Sequence, residues 1–303
     1  VSDPVSVVVP TLADRELLAG CLAAVEAEVA RRGAGDELLV VDDSGSSDAG
    51  AGGVREWLAR EHPAARYHAN ERNLGFARAL AAGVERARHP RVLALNPDVI
   101  LRPGCLDPLV ETLALDGVVA VAPYVLLDGE AGSAEALPRV DFEEGFACIR
   151  REPLAITPGR ASAEHPEGVP VDFVLGGCFL FRREDFLARP FDPRFEPFYW
   201  EDVDWCRGAF EAGGRLLVDP RAVAEHHHRG TIGGRVPEEL VRAAIEKNRL
   251  LFTWKHLREP EARARHFEAL GERAAMAALE ESREELLWLA LALEQEGELK
   301  DTP

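Results

Sequence analysis

Short apolar runs with no polar face recur along the first part of the chain, and each is cut by turn formers. Val5-Ser-Val-Val-Val9 ends at Pro10, Glu37-Leu-Leu-Val-Val41 at Asp42-Asp43, and Val92-Leu-Ala-Leu95 at Asn96-Pro97-Asp98. Strands buried on both faces of a sheet read this way. Pro97 has no N–H for a sheet ladder, so the third run must stop before it. Between the runs the spacing becomes helical. Leu17, Leu18, Cys21, Leu22 and Val25 predict a helix from about Asp14 to Val29, Val54 to Arg60 a second, and an Ala-rich stretch to about Ala87 a third. With a short strand at residues 65–68, the β-α-β-α-β-α-β alternation predicts a mainly parallel sheet, and so an α/β fold.

Further on, Val118 to Ala122 reads as a strand, whereas residues 127–170 are rich in Gly, Glu and Pro and weakly periodic. A stretch this long with little regular structure predicts a substrate-facing loop region or lid. Val171 to Phe181 reads as a strand interrupted by Gly176-Gly177, a place where a ligand can approach the backbone. A helix is predicted from Glu201 to about Ala212, and a strand at Arg215-Leu-Leu-Val218 that stops before Asp219-Pro220. Pro237-Glu-Glu opens a helix with Val241, Ile245 and Phe252 on one face and Leu240, Ala244, Leu251 and Trp254 on an adjoining one. Pro260 starts another, and Ser282-Arg-Glu-Glu285 has capping-box form before the apolar run Leu286 to Leu293. That run predicts a helix packed on the rest of the fold, then a homodimer contact, and last a membrane-surface attachment that its acidic flanks disfavour.

Composition narrows the partners. The 303 residues carry a formal net charge of −18, which repels phosphate backbones and argues against nucleic acid. A phosphate ligand on such a chain needs backbone N–H groups or a cation beside it. Five cysteines lie far apart with no C-x-x-C pair, which argues against a zinc site or a disulfide scaffold and fits a cytoplasmic setting. Neither a signal peptide nor a transmembrane run is expected.

The chemistry gathers at the strand ends. No G-x-G-x-x-G follows the first strand and no P-loop motif is present, which counts against a dinucleotide-dependent dehydrogenase and a P-loop NTPase. Thr11, Asp42 with Asp43, and Asp98 stand instead at three carboxyl ends, where ligands of open α/β sheets collect. Such carboxylates can accept from ribose or base donors, and Asp98 is a candidate ligand for a divalent ion that neutralises a diphosphate. A second acidic cluster, Glu201-Asp-Val-Asp204, opens a helix among Phe198, Tyr199, Trp200 and Trp205. Helix capping explains the acids but not the aromatics, whose faces suit a sugar ring. His226-His-His228 is either a surface cluster or a source of imidazole for a metal such as Mn2+.

Taken together, Val7-Val-Val-Pro-Thr11, Val41-Asp-Asp-Ser-Gly-Ser-Ser-Asp48, Asn73-Leu-Gly-Phe-Ala77, Leu95-Asn-Pro-Asp98, Gly176-Gly177 with Arg182-Arg183, and Glu201-Asp-Val-Asp204 resemble a family 2 glycosyltransferase of the GT-A fold, in the subgroup similar to bacterial rhamnosyltransferases. The resemblance implies a catalytic domain over residues 1–235 and a helical extension over 236–303. It implies a UDP-, dTDP- or GDP-sugar donor, a glycan, glycolipid or small-molecule acceptor, and a divalent metal, Mn2+ or Mg2+. By the same resemblance Thr11 and Asp43, with Asp42 beside them, contact the nucleotide base, and Asn73 and Arg78 lie near the nucleotide. Asp98 matches the last acid of the metal motif, with Asn96 standing where many members have Asp; His226, or else His228, matches the metal-binding histidine. Asp202 matches the general base of an inverting transfer, Glu201 neighbours it on the acceptor side, and Gly176, Gly177, Trp200 and Asp204 are assigned to the sugars. Two other readings are a catalytically dead relative that binds nucleotide sugars and a sugar-1-phosphate nucleotidyltransferase. The Gly-rich loop with Arg and Lys expected of the latter is missing at Pro10-Thr-Leu-Ala13, and the former predicts loss of Asp98 or Asp202, both of which are present.

Overall fold

The computed structural model describes residues 3–45, 53–128, 137–151, 156–227, 236–280 and 282–298. The alternation read from the sequence is found as β1 (Val5–Thr11), α1 (Arg15–Arg32), β2 (Glu37–Asp42), α2 (Val54–Glu61), β3 (Arg66–Ala69), α3 (Phe76–Arg86) and β4 (Arg91–Leu95). There follow β5 (Val99–Leu101), α4 (Leu106–Leu113), β6 (Val118–Leu127), β7 (Pro138–Glu143), β8 (Phe146–Arg151), β9 (Val169–Pro170), β10 (Cys178–Arg182), α5 (Arg183–Ala188), α6 (Glu201–Glu211) and β11 (Arg215–His226). Three helices, α7 (Glu238–His256), α8 (Pro260–Leu279) and α9 (Arg283–Glu298), close the described chain.

One nine-stranded sheet runs in the order β3-β2-β1-β4-β10-β6-β11-β5, with β9 paired to β11. β1 to β4 are parallel neighbours, with Thr11 opposite Asp42, so the carboxyl ends read from the sequence do share one edge. β10 enters antiparallel between β4 and β6. Its amino end therefore lies at the edge where β1, β2 and β4 have their carboxyl ends. β5 is antiparallel to β11, which brings Val99 opposite His226 at that same edge.

Both faces of the sheet are covered, as continuous apolar strands require. Val7, Val9, Val40 and Leu93 pack with Leu18, Leu22 and Leu109 from α1 and α4. Val8, Val41, Phe179 and Phe181 pack on the other side with α3, α6 and α7. A Cβ on Gly83 would stand 2.3 Å from Val8 Cγ1, so only glycine lets α3 lie this close to the sheet. Asp14 caps α1, its carboxylate accepting from the N–H groups of Glu16 and Leu17.

Three expectations are corrected. The strand expected over 171–181 exists only from Cys178, because the chain before it is turned at Gly176-Gly177 toward neighbouring side chains. The strand expected to stop before Pro220 continues to His226; register shifts between Asp219 and Val223 let the ladder bypass the proline. The 127–170 segment, expected to hold little regular structure, contains the β7–β8 hairpin, which packs under the carboxyl-terminal helices. Ala147 N donates to Thr253 Oγ1 at 3.1 Å, Arg249 Nε donates to Ala147 O at 2.8 Å, and Phe146 clusters with Leu250, Leu270 and Trp288.

Candidate active site

At the end of β2 the two aspartates divide the work. Asp42 is buried and accepts from Tyr67 Oη at 2.7 Å and from Ser44 N at 2.9 Å. Asp43, also buried, accepts from Asn70 Nδ2 at 2.7 Å, from Leu74 N at 2.9 Å and from Gly75 N at 2.9 Å. One carboxylate thus fixes the loop ahead of α3, in which Asn73 is exposed and its Oδ1 accepts from Gly75 N at 3.0 Å. Beside them Thr11 is buried, and its Oγ1 has no hydrogen-bond partner among the described residues. An orphaned buried hydroxyl between two carboxylate-bearing loops suits a polar ligand.

Arg78, on the first turn of α3, reaches over to Glu196 in an ion pair. Glu196 belongs to the loop that leads into α6, so the start of α3 and the acidic cluster meet here. Tyr199 and Trp200 both have left-handed backbone, with φ of 69° and 73°. For residues with side chains this conformation costs about 1–2 kcal/mol each. Trp200 occupies the N-cap position without a side-chain cap.

The acids that follow do not act as a set. Asp202 Oδ1 accepts from Val203 N at 2.8 Å, while Oδ2 reaches out of the helix to Gly176 N at 2.8 Å. A Cβ on Gly176 would stand 3.1 Å from that oxygen, and one on Gly177 would stand 3.1 Å from Asn96 Nδ2. Asn96 N in turn donates to Gly177 O at 2.8 Å. The glycine pair therefore couples Asp202 of the acidic cluster to the end of β4, two residues from Asp98. Glu201 is buried, and its Oε2 finds no hydrogen-bond partner among the described residues. Burial and the Asp202 charge push its carboxyl well above the ordinary range. Burial also pushes Asp202 upward, opposed by the N–H groups of Gly176 and Val203.

Two site expectations are corrected. Asp204 turns inward, with His256 Nε2 at 2.8 Å from Oδ1 and Lys255 Nζ at 2.8 Å from Oδ2, so it anchors α7 and does not face a sugar. Trp200 is buried against Phe252 at a ring separation of 5.1 Å, and Trp205 packs among Phe179, Phe181 and Phe186. These rings are core, not sugar platforms; the exposed aromatic of the stretch is Tyr199. Arg182 and Arg183 are likewise structural, donating to carbonyls at the carboxyl ends of α4 and α3.

Asp98 is buried at the start of β5, and His226 Nε2 lies 3.6 Å from its Oδ1. Two ligands of one divalent ion, each about 2.0–2.2 Å from it, stand at such a separation, so the oxygen and the imidazole fit a shared cation. Among the described residues no group of three His, Cys, Asp or Glu side chains that could hold a metal is found. His227 points elsewhere, 3.8 Å from Asp128 Oδ1, and His228 lies outside the described residues.

The sequence reading missed Tyr67, Asn70, Glu196, and a polar pair on α7. Lys247 Nζ donates to Arg194 O at 3.0 Å and Glu196 O at 2.6 Å, and burial lowers its amine to about 8. Asn248 Nδ2 donates to Phe195 O at 2.6 Å, Phe198 O at 2.9 Å and Tyr199 O at 2.8 Å. A signal existed: the two faces of α7 each skip one helical position, and Asn248 and Lys247 fill those positions.

The family model of glycosyl transferase family 2 matches residues 6–188, which carry the edge from Thr11 through Asp98 to the glycine pair. The chain belongs to glycosyl transferase family 2. No curated protein matches it. Among solved structures it is similar to GalNAc-T7, crystallised with UDP, GalNAc and Mn2+, at 19% identity and a TM-score of 0.62. That match covers 82% of this chain but 47% of GalNAc-T7, so the chain spans less than half of that protein's length. The likeness shows the GT-A fold that the strand order displays.

Proposed function

We propose that this glycosyltransferase transfers a sugar from a nucleoside-diphosphate donor to an acceptor hydroxyl with inversion, and that Asp202 is the general base. The observation that carries this reading is the Asp202 carboxylate, directed out of α6 onto Gly176 N at the edge that also bears Thr11, Asp43 and Asp98. Asp202 takes the proton of the acceptor hydroxyl as that oxygen bonds to the anomeric carbon; the bond from that carbon to the diphosphate breaks, and its electron pair leaves with the diphosphate. One carboxylate suffices, because no enzyme nucleophile is needed for inversion. Burial and the Asp202 charge raise the Glu201 carboxyl, while the N–H groups of Gly176 and Val203 favour the Asp202 anion as the acceptor of that proton. Thr11, Asp42 and Asp43 bind the base and ribose, with Asn73 and Arg78 beside the nucleotide. Asp98 and His226 would hold a divalent cation, Mn2+ or Mg2+, whose charge would stabilise the leaving diphosphate.

Asp202→Asn keeps the size and most hydrogen bonding of the side chain while removing the proton acceptor. General-base catalysis contributes about 10²- to 10⁴-fold, so turnover should fall at least that far. Nucleotide affinity, measured by calorimetry with UDP, dTDP and GDP, should be retained. Wild-type turnover in this variant rejects the base assignment.

A further inference from the structure

We infer that α7 is the positioning element for the catalytic base, and that Asn248 and Lys247 are its positioning residues. The inference rests on the reading of Asp202 as that base. Of the six consecutive carbonyls from Arg194 to Tyr199, five are held by these two adjacent side chains: Lys247 takes Arg194 and Glu196, and Asn248 takes Phe195, Phe198 and Tyr199. Both residues are buried, Asn248 completely. The held segment runs directly into Glu201 and Asp202. Its last residue, Tyr199, and the next, Trp200, have a backbone that residues with side chains rarely adopt, and Trp200 supplies no cap of its own to α6.

The helix is thus started from outside. One turn later α7 grips it again, His256 and Lys255 binding the two oxygens of Asp204. The base sits between these two anchor points, so its distance from Gly176 N is set by α7. A polar amide at a fully buried position is costly unless it is bonded; here the N–H protons are shared among three carbonyls, while Oδ1 has no hydrogen-bond partner among the described residues. An apolar residue would serve packing alone equally well. The choice of Asn and Lys is explained by what they hold: a strained loop whose only outlet is the acidic motif.

The test uses the full chain and compares Asn248→Ala, Lys247→Met, Lys247→Arg and Asp202→Asn. Turnover is read as nucleoside diphosphate released from the member of a UDP-glucose, UDP-GalNAc, dTDP-rhamnose and GDP-mannose panel that the wild type consumes. Misplacing a reacting group by about 1 Å costs about 10²-fold, so Asn248→Ala and Lys247→Met should lose kcat on that scale while donor KM and the calorimetric affinity for the nucleoside diphosphate stay within about twofold. Lys247→Arg, which keeps a charged donor, should recover most of the loss. Wild-type kcat in the folded variants overturns the proposal. So does a parallel loss of nucleotide affinity, which marks a merely structural role, or a Lys247→Arg variant no better than Lys247→Met. Should Asn248→Ala give no folded protein, as judged by circular dichroism, the Lys247 pair carries the same comparison. Full turnover in Asp202→Asn, by contrast, rejects the base and is read independently of α7.

Discussion

Glu201 has no hydrogen-bond partner among the described residues for one of its buried oxygens, and it lies beside the Asp202 carboxylate. Its raised pKa has a thermodynamic signature. The folded state holds the proton more tightly than the unfolded chain, whose Glu titrates near about 4.3. Wild-type stability is therefore favoured by this group below that value and declines as pH rises toward the folded pKa. Glu201→Gln is neutral throughout, so its melting temperature relative to wild type should climb between pH 4 and pH 8. A difference that stays flat with pH would sink this assignment. At the residue scale the strand-end groups Thr11, Asp42, Asp43 and Asp98 were legible, because turn chemistry at the end of an apolar run has few meanings. Asp204 and Trp200 were not. Sequence adjacency to Asp202 suggested a shared role, but helical rotation turns Asp204 toward His256 and the core takes the Trp200 ring.

The apolar runs that became β1, β2 and β4 were read correctly, since burial on two faces leaves little choice of structure. The β7–β8 hairpin was missed because its pattern is short and charged, and its support comes from helices about 100 residues further on, as in the Ala147–Thr253 bond. Gly145 is where that support is tightest. Its φ is +83°, and a Cβ would meet His266 backbone and side-chain atoms at 2.7–2.8 Å. Gly145→Ala should therefore destabilise the chain by about 1–3 kcal/mol, lowering the melting temperature measured by calorimetry. Nucleotide affinity at low temperature should be preserved, since the hairpin touches none of the candidate ligand groups. An unchanged melting temperature would contradict the close hairpin–α8 contact.

For the whole molecule, β-α alternation made the parallel half of the sheet readable, but nothing in the local pattern revealed that β10 enters it in reverse. That reversal places Gly176-Gly177 beside Asn96 and joins two acidic motifs more than 100 positions apart. The net charge of −18 acts at this scale too. A diphosphate approaching such a protein is repelled unless a cation intervenes, so calorimetry with UDP, dTDP and GDP should show weak binding or none in EDTA, restored by Mn2+ or Mg2+. Asp98→Ala should remove that metal response; equal affinity with and without EDTA would strike Asp98 and His226 from the candidate ligands. The hold of α7 on residues 194–199 bears, finally, on synthesis. Chains fold as they leave the ribosome, amino end first. Lys247 and Asn248 emerge after every strand of the sheet, so a nascent chain can complete its nucleotide edge well before its acidic loop acquires its restraint. On the roles proposed above, a place for the donor would then form before the power to transfer, and catalysis would wait for a helix that contributes no reacting group.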